Sequence, residues 1–92
     1  MKKEVTTDSG FTCEIDLEKL DDWEFAEAAA AVAESKGGAE TLRLAVFIAN
    51  HMMEAEDAAR LKEHVKTESG RVPTSRMMEE IFDLMNKVKA KN

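Results

Sequence analysis

The chain has 92 residues, of which 43% are hydrophobic and 35% are charged, and its 19 acidic residues outnumber its 13 basic ones. A chain of this length forms at most one domain, and a buried catalytic cleft would compete with the core for the same side chains, so we expect no enzyme. The formal net charge of −6 disfavours nucleic acid as a partner, since phosphate-backbone binding needs clustered Lys and Arg. The single cysteine, Cys13, excludes an internal disulfide and is typical of a cytosolic protein.

The N-terminal part of the chain is predicted to be a flexible arm followed by one domain. Residues 1–10 are polar and contain one side chain suited to burial, Val5, so they form the arm, and residues 11–92 form a single helical domain. No apolar run approaches the roughly 18 residues of a membrane span, so no membrane contact is expected. We recognise no internal repeat.

A short strand and four amphipathic helices are predicted after the arm. Apolar and polar residues alternate from Phe11 to Ile15, which indicates a strand whose partner is either residues 71–73 or a second copy of the chain. The first helix begins near Leu17, after the N-cap Asp16, and ends at Gly37-Gly38. Further helices cover about residues 39–53 and 55–68, and the last begins at Thr74 or Ser75. The fold class is therefore mainly α, a small bundle of about four helices with one short N-terminal β-strand.

Aromatic and methionine residues are the main candidates for core and contact positions. Trp23 and Phe25 are expected to anchor the core. The second helix is apolar nearly all round, so part of it is covered by the domain or by a partner. Methionine adapts to several partners, although plain core packing is the open alternative. The predicted face for a client or for self-association comprises Phe47, Met52, Met53, Met77, Met78, Phe82 and Met85.

Negative charge is concentrated near the start of the first helix. Residues 14–27 contain seven acids and one base, Lys19, which gives a local net charge of −6 (1 − 7). One interpretation is a solvated helix start whose charges suit the helix dipole. The other is a surface that attracts a basic partner, formed by Asp21, Asp22, Glu24 and Glu27.

We predict no catalytic residue, metal site or cofactor. His51 and His64 lie 13 residues apart without the closely spaced Cys or His ligands of a zinc site. Cys13 lies on the apolar face of the predicted strand and is interpreted as a small buried hydrophobe. The loop around Gly70 fails as an EF-hand, because Val65 and Arg76 would occupy positions where calcium needs carboxylates.

Four segments together resemble the tail assembly chaperones of long-tailed, siphovirus-type phages and prophages. They are Phe11-Thr12-Cys13-Glu14-Ile15-Asp16, Asp21-Asp22-Trp23-Glu24-Phe25, Glu68-Ser69-Gly70-Arg71-Val72-Pro73 and Met77-Met78-Glu79-Glu80-Ile81. The resemblance implies a small, mostly helical, non-catalytic protein that binds the tape measure protein, keeps its apolar helices soluble and helps recruit tail tube subunits. It also implies a place in the cytoplasm of the bacterial host and absence from the mature virion.

The residues and the resemblance together predict a phage tail assembly chaperone that is also a homo-oligomer. The expected partners are the tape measure protein and the tail tube protein. The alternative is a small acidic helical adaptor, or host-directed regulatory protein, that uses its acidic face to cover a basic protein surface.

Overall fold

A computed structural model describes residues 1–89 of the chain. Within this range the protein contains two strands and five helices: β1 (Lys2–Thr6), β2 (Thr12–Asp16), α1 (Leu17–Leu20), α2 (Trp23–Glu34), α3 (Gly38–Met52), α4 (Ala55–Val65) and α5 (Thr74–Lys89). The predicted fold class, mainly α with a short N-terminal β element, is confirmed.

The N-terminal residues form a strand, so the prediction of a flexible arm over residues 1–10 is wrong. β1 pairs antiparallel with β2, with Val5 opposite Cys13. The partner of β2 is therefore β1, and the predicted pairing with residues 71–73 or with a second copy is wrong. A neighbouring segment satisfies the backbone groups of β2 at the smallest cost in chain entropy, and Val5 and Thr7 are buried in the process.

Two aspartates divide the predicted first helix into two. Asp16 caps α1 by accepting from the Glu18 N–H, as predicted, and Asp22 caps α2 by accepting from the N–H groups of Glu24 and Phe25. The second cap places Trp23 in the first turn of α2, where its side chain is 78% exposed. Phe25 is a core residue as predicted, whereas Trp23 is not.

One core is shared by the hairpin and helices α2 to α5. Its fully buried side chains come from β2, α3, α4 and α5 and are Ile15, Ile48, Leu61 and Leu84. α3 buries Leu44, Ile48 and Met52 in this core. Its apolar residues Leu42, Val46 and Phe47 remain exposed, because the described elements do not surround α3 completely.

Candidate functional site

An apolar groove lies between α3, α4 and α5. α3 contributes Leu42 and Val46, which are 42% and 50% exposed and lie one helical turn apart. The groove encloses about 260 Å³ and is walled on the α5 side by the half-buried Met77 and Met78. Among the described residues that line it, Lys62 of α4 carries the one charge. The groove therefore suits a helix with an apolar stripe.

The seven residues of the predicted client face do not lie on one surface. Met53, Met77 and Met78 line the groove, whereas Met52 and Met85 line a second apolar pocket of about 360 Å³ beside α1. Met52, Met53 and Met85 are themselves buried, so they belong to the core. Each residue along a helix turns the side chain by about 100°, so neighbouring apolar positions on α3 face different surroundings.

The two phenylalanines of that predicted face lie elsewhere. Phe47 is 40% exposed in a shallow depression between α2 and α3, and Phe82 lies on the far side of α5, near the β1–β2 turn. The α3/α4/α5 groove contains Leu42 and Val46, which the sequence did not assign to the client face, and contains neither Phe47 nor Phe82.

One residue of the predicted acidic face stabilises the fold, and the other three are exposed to solvent. Asp22 is the α2 N-cap and lies 3.9 Å from His51 Nε2, so its carboxylate supports the fold. Asp21, Glu24 and Glu27 are exposed, and the last two line the depression that contains Phe47. Asp22 therefore has a structural role as a helix cap, while the attraction of a basic partner by the exposed acids stays a prediction.

His51 has a structural role. Its ring stacks between Phe25 and Phe47, at centroid distances of 5.4 and 5.8 Å. Its Nε2–H donates to the Lys19 carbonyl oxygen at 2.6 Å, which joins α3 to α1. The ring and one nitrogen of His51 therefore make contacts within the fold.

A buried carboxylate network was not predicted from the sequence. Glu80 of α5 is 5% exposed and accepts from the hydroxyls of Thr7 and Ser9, each at 2.8 Å. Ser9 Oγ also lies 2.9 Å from His64 Nε2. A hydroxyl has one proton, and Ser9 gives it to Glu80, so His64 must donate Nε2–H to Ser9 Oγ. His64 therefore cannot act as the base that a serine nucleophile requires.

Cys13 is buried on β2, as expected for a small hydrophobe. Burial, together with the nearby Asp57 carboxylate, raises the pKa of its thiol to about 11, and the Arg60 guanidinium opposes this shift. The thiol is protonated at neutral pH and is a poor nucleophile.

Residues 1–89 contain no group of three or more His, Cys, Asp or Glu side chains placed to hold a metal ion. Nor does any helix in that range have the length and apolar character required to span a membrane. Comparisons with protein-family models, with curated proteins and with solved structures gave no match.

Proposed function

We propose that this protein is a non-catalytic phage tail assembly chaperone. It binds an apolar-faced helix of the tape measure protein, keeps that helix soluble, and helps recruit tail tube subunits in the cytoplasm of the bacterial host without entering the mature virion. The sequence resemblance supplies the identity of the client. The α3/α4/α5 groove supplies the physical reason for binding a helix.

One observation carries the proposal, namely the exposed apolar ridge of α3 beside the groove. Leu42 and Val46 present an i, i+4 pair to solvent, and Met77 and Met78 stand across the groove from them. A partner helix with apolar residues at i, i+3, i+4 and i+7 would cover both walls at once. Methionine walls accommodate different side chains along such a helix, which suits a long client with many related segments.

The test is co-expression with the tape measure protein of the same phage or prophage, followed by pull-down and measurement of the soluble client. Wild-type protein is expected to form a complex and raise client solubility. Leu42→Ser with Val46→Ser removes the exposed ridge and is expected to abolish both effects. Ala26→Ser with Ala30→Ser is the matched control, because these alanines are exposed at the same i, i+4 spacing on α2, away from the groove.

The absence of a complex with the wild-type protein, together with unchanged client solubility, would contradict the proposal. Equal binding by the ridge variant and the control would show that the groove is not the binding surface. Circular dichroism of each variant establishes that the helices are intact before binding is compared.

The acidic adaptor is a second candidate function, supported by the surface around Trp23. The only tryptophan of the chain is 78% exposed next to Asp21 and Glu24, and the aromatic face of such a residue binds Lys and Arg side chains. An adaptor would bind a basic host protein through this surface, and Trp23→Ala would abolish that binding. A chaperone that uses the groove would keep its client when Trp23 is replaced.

A further inference from the structure

Two turns of the chain share a sequence and a structure. Thr7-Asp8-Ser9-Gly10 and Thr67-Glu68-Ser69-Gly70 repeat the pattern Thr-acid-Ser-Gly. In each, the Thr N–H donates to the carbonyl four residues later at 2.8 Å, and the Gly N–H donates to the Thr carbonyl at 2.9 Å.

The correspondence extends to the side chains and the glycine conformation. Thr7 Oγ1 accepts from the Phe11 N–H, and Thr67 Oγ1 accepts from the Arg71 N–H, both at 3.1 Å. The glycines have φ values of 96° and 90°, a region that favours glycine. We call residues 7–11 the first turn and residues 67–71 the second turn.

The first turn binds a pair of carboxylates on a helix. The hydroxyls of Thr7 and Ser9 donate to the two oxygens of Glu80, and the Asp8 N–H donates to Asp83 Oδ2 at 2.7 Å. Glu80 and Asp83 are three residues apart on α5, so their side chains project from one face of the helix. The first turn is thus a receptor for two acids at i and i+3.

The second turn has the same donors with no carboxylate bound to them. Thr67 Oγ1 and Ser69 Oγ lie 2.9 Å apart, compared with 3.2 Å for Thr7 and Ser9. In the first turn both hydroxyl protons go to Glu80, whereas in the second turn one hydroxyl donates to the other. No residue within 1–89 accepts from the Glu68 N–H, which corresponds to the Asp8 N–H.

The chain also has a second pair of helical acids with no receptor. Within the described helices, acids occur at i and i+3 twice, as Glu80 with Asp83 and as Glu24 with Glu27. Glu24 and Glu27 are exposed, and neither carboxylate has a hydrogen-bond or ion-pair partner within residues 1–89. Within the described residues the first turn therefore binds Glu80 and Asp83, whereas the second turn binds no carboxylate and the Glu24/Glu27 pair is bound by no turn.

We propose that the second turn binds the Glu24/Glu27 pair on α2 of a second copy of this chain. Charge favours the contact, because residues 14–27 have a net charge of −6, while residues 62–76 contain four bases and two acids, a net charge of +2 (4 − 2). Arg71 ends the second turn and has no acidic partner within the described residues. The exposed Trp23, adjacent to Glu24, supplies apolar area to the same contact.

The two contacting surfaces differ, so the association is heterologous. Each copy offers one acid pair and one turn, and successive copies join head to tail until a ring closes or a filament grows. This association requires no client and is independent of the proposed chaperone function.

The first experiment is sedimentation velocity over a range of protein concentrations. Wild-type protein is expected to associate as its concentration rises. Thr67→Val with Ser69→Ala removes the receptor, and Glu24→Gln with Glu27→Gln removes the acid pair. Each double variant is expected to weaken association about tenfold or more, since each removes hydrogen bonds to charged groups.

Glu34→Gln with Glu40→Gln is the charge-matched control, because both acids are exposed helical residues outside the pair. This control is expected to associate like the wild type.

Mixing the two impaired variants tests the head-to-tail geometry. The acid-pair variant retains its turn, and the turn variant retains its acid pair, so an equimolar mixture is expected to form a heterodimer that does not grow further. Trp23 reports the contact directly, because it is the single tryptophan in a chain without tyrosine. Its emission is expected to shift to shorter wavelength in the mixture and not in either variant alone.

Three results would overturn the proposal. The first is a strictly monomeric wild-type protein, which would leave the second turn to an acidic helix of another protein. The second is association of the folded turn and acid-pair variants at wild-type strength. The third is a loss in the Glu34/Glu40 control as large as in the acid-pair variant, because that would reflect total charge instead of a specific site.

Discussion

Replacing Thr7 by Val tests whether the first turn is held by its bond to the buried Glu80. The substitution keeps the shape of the side chain and removes the hydroxyl, which donates to Glu80 and accepts from the Phe11 N–H. Thr7 is 3% exposed, so water cannot replace either bond. Thr67→Val is the matched control, because the second turn has the same internal bonds at the surface and no carboxylate.

The expected loss follows from the bonds that each variant removes. A hydrogen bond to a charged acceptor contributes about 1.5 to 3 kcal/mol and a neutral one about 0.5 to 1.5 kcal/mol, so Thr7→Val should lower the free energy of unfolding by about 2 to 4.5 kcal/mol. Thr67→Val loses neutral bonds that water replaces, and its expected cost is about 1 kcal/mol or less. A domain of this size has a free energy of unfolding of about 5 to 15 kcal/mol, so both variants should fold.

The assay is urea unfolding followed by far-UV circular dichroism at low protein concentration, which keeps self-association out of the measurement. The two variants are expected to differ in midpoint and to share the slope of the wild type. Equal losses for Thr7→Val and Thr67→Val would refute the reasoning, because the turns differ chiefly in burial and in the bound carboxylate. A larger loss for Thr67→Val would refute it more strongly.

Three further predictions concern the core, the cysteine and the contact between the first turn and Asp83 of α5. Leu84→Ala removes a fully buried side chain and is expected to cost about 2 to 5 kcal/mol in urea unfolding, whereas Leu42→Ala at the exposed groove rim should cost about 1 kcal/mol or less. With its pKa raised to about 11, Cys13 should resist alkylation by iodoacetamide at pH 8 to 9 until the protein unfolds, and rapid reaction of the native thiol would contradict its burial. The Asp8 N–H, followed by Lys87, lowers the pKa of Asp83, so this carboxylate stabilises the fold above its ordinary pKa and loses that contribution as the pH falls through the lowered value. Asp83→Asn should therefore be less stable than the wild type at pH 7, and the difference should shrink below about pH 4 in thermal melts. A pH-independent difference would contradict this assignment.

Several elements could be predicted because their causes are local. The alternation from Phe11 to Ile15 marks β2, and the capping carboxylate of Asp16 marks the start of α1. The start of α5 at Thr74 follows from the proline before it, since Pro73 excludes helical angles at Val72. Each of these signals lies within a few residues of the structure that it produces.

The site could be predicted only in part, because exposure depends on residues that are distant in the chain. The apolar excess of α3 was visible in the sequence, but the division of its methionines and leucines between core and groove depends on where α4 and α5 pack. Met53 is buried whereas Leu42 remains at the rim, although both lie in the predicted second helix, residues 39–53. Trp23 was expected in the core as one of the five aromatic residues, whereas the Asp22 cap places it in the first turn of α2, where it is exposed.

By itself, the sequence determined a small, acidic, mainly helical chain with a short N-terminal strand, since periodicity, capping residues and composition act over short distances. Only the tertiary structure decided that residues 1–10 are ordered, because β1 exists through its pairing with β2. The repeated Thr-acid-Ser-Gly pattern was present in the sequence throughout, but its meaning depends on Glu80, more than 70 residues from Thr7 along the chain. Folding brings that carboxylate to the first turn and leaves the second turn open, and this difference makes one turn a structural contact and the other a candidate binding site.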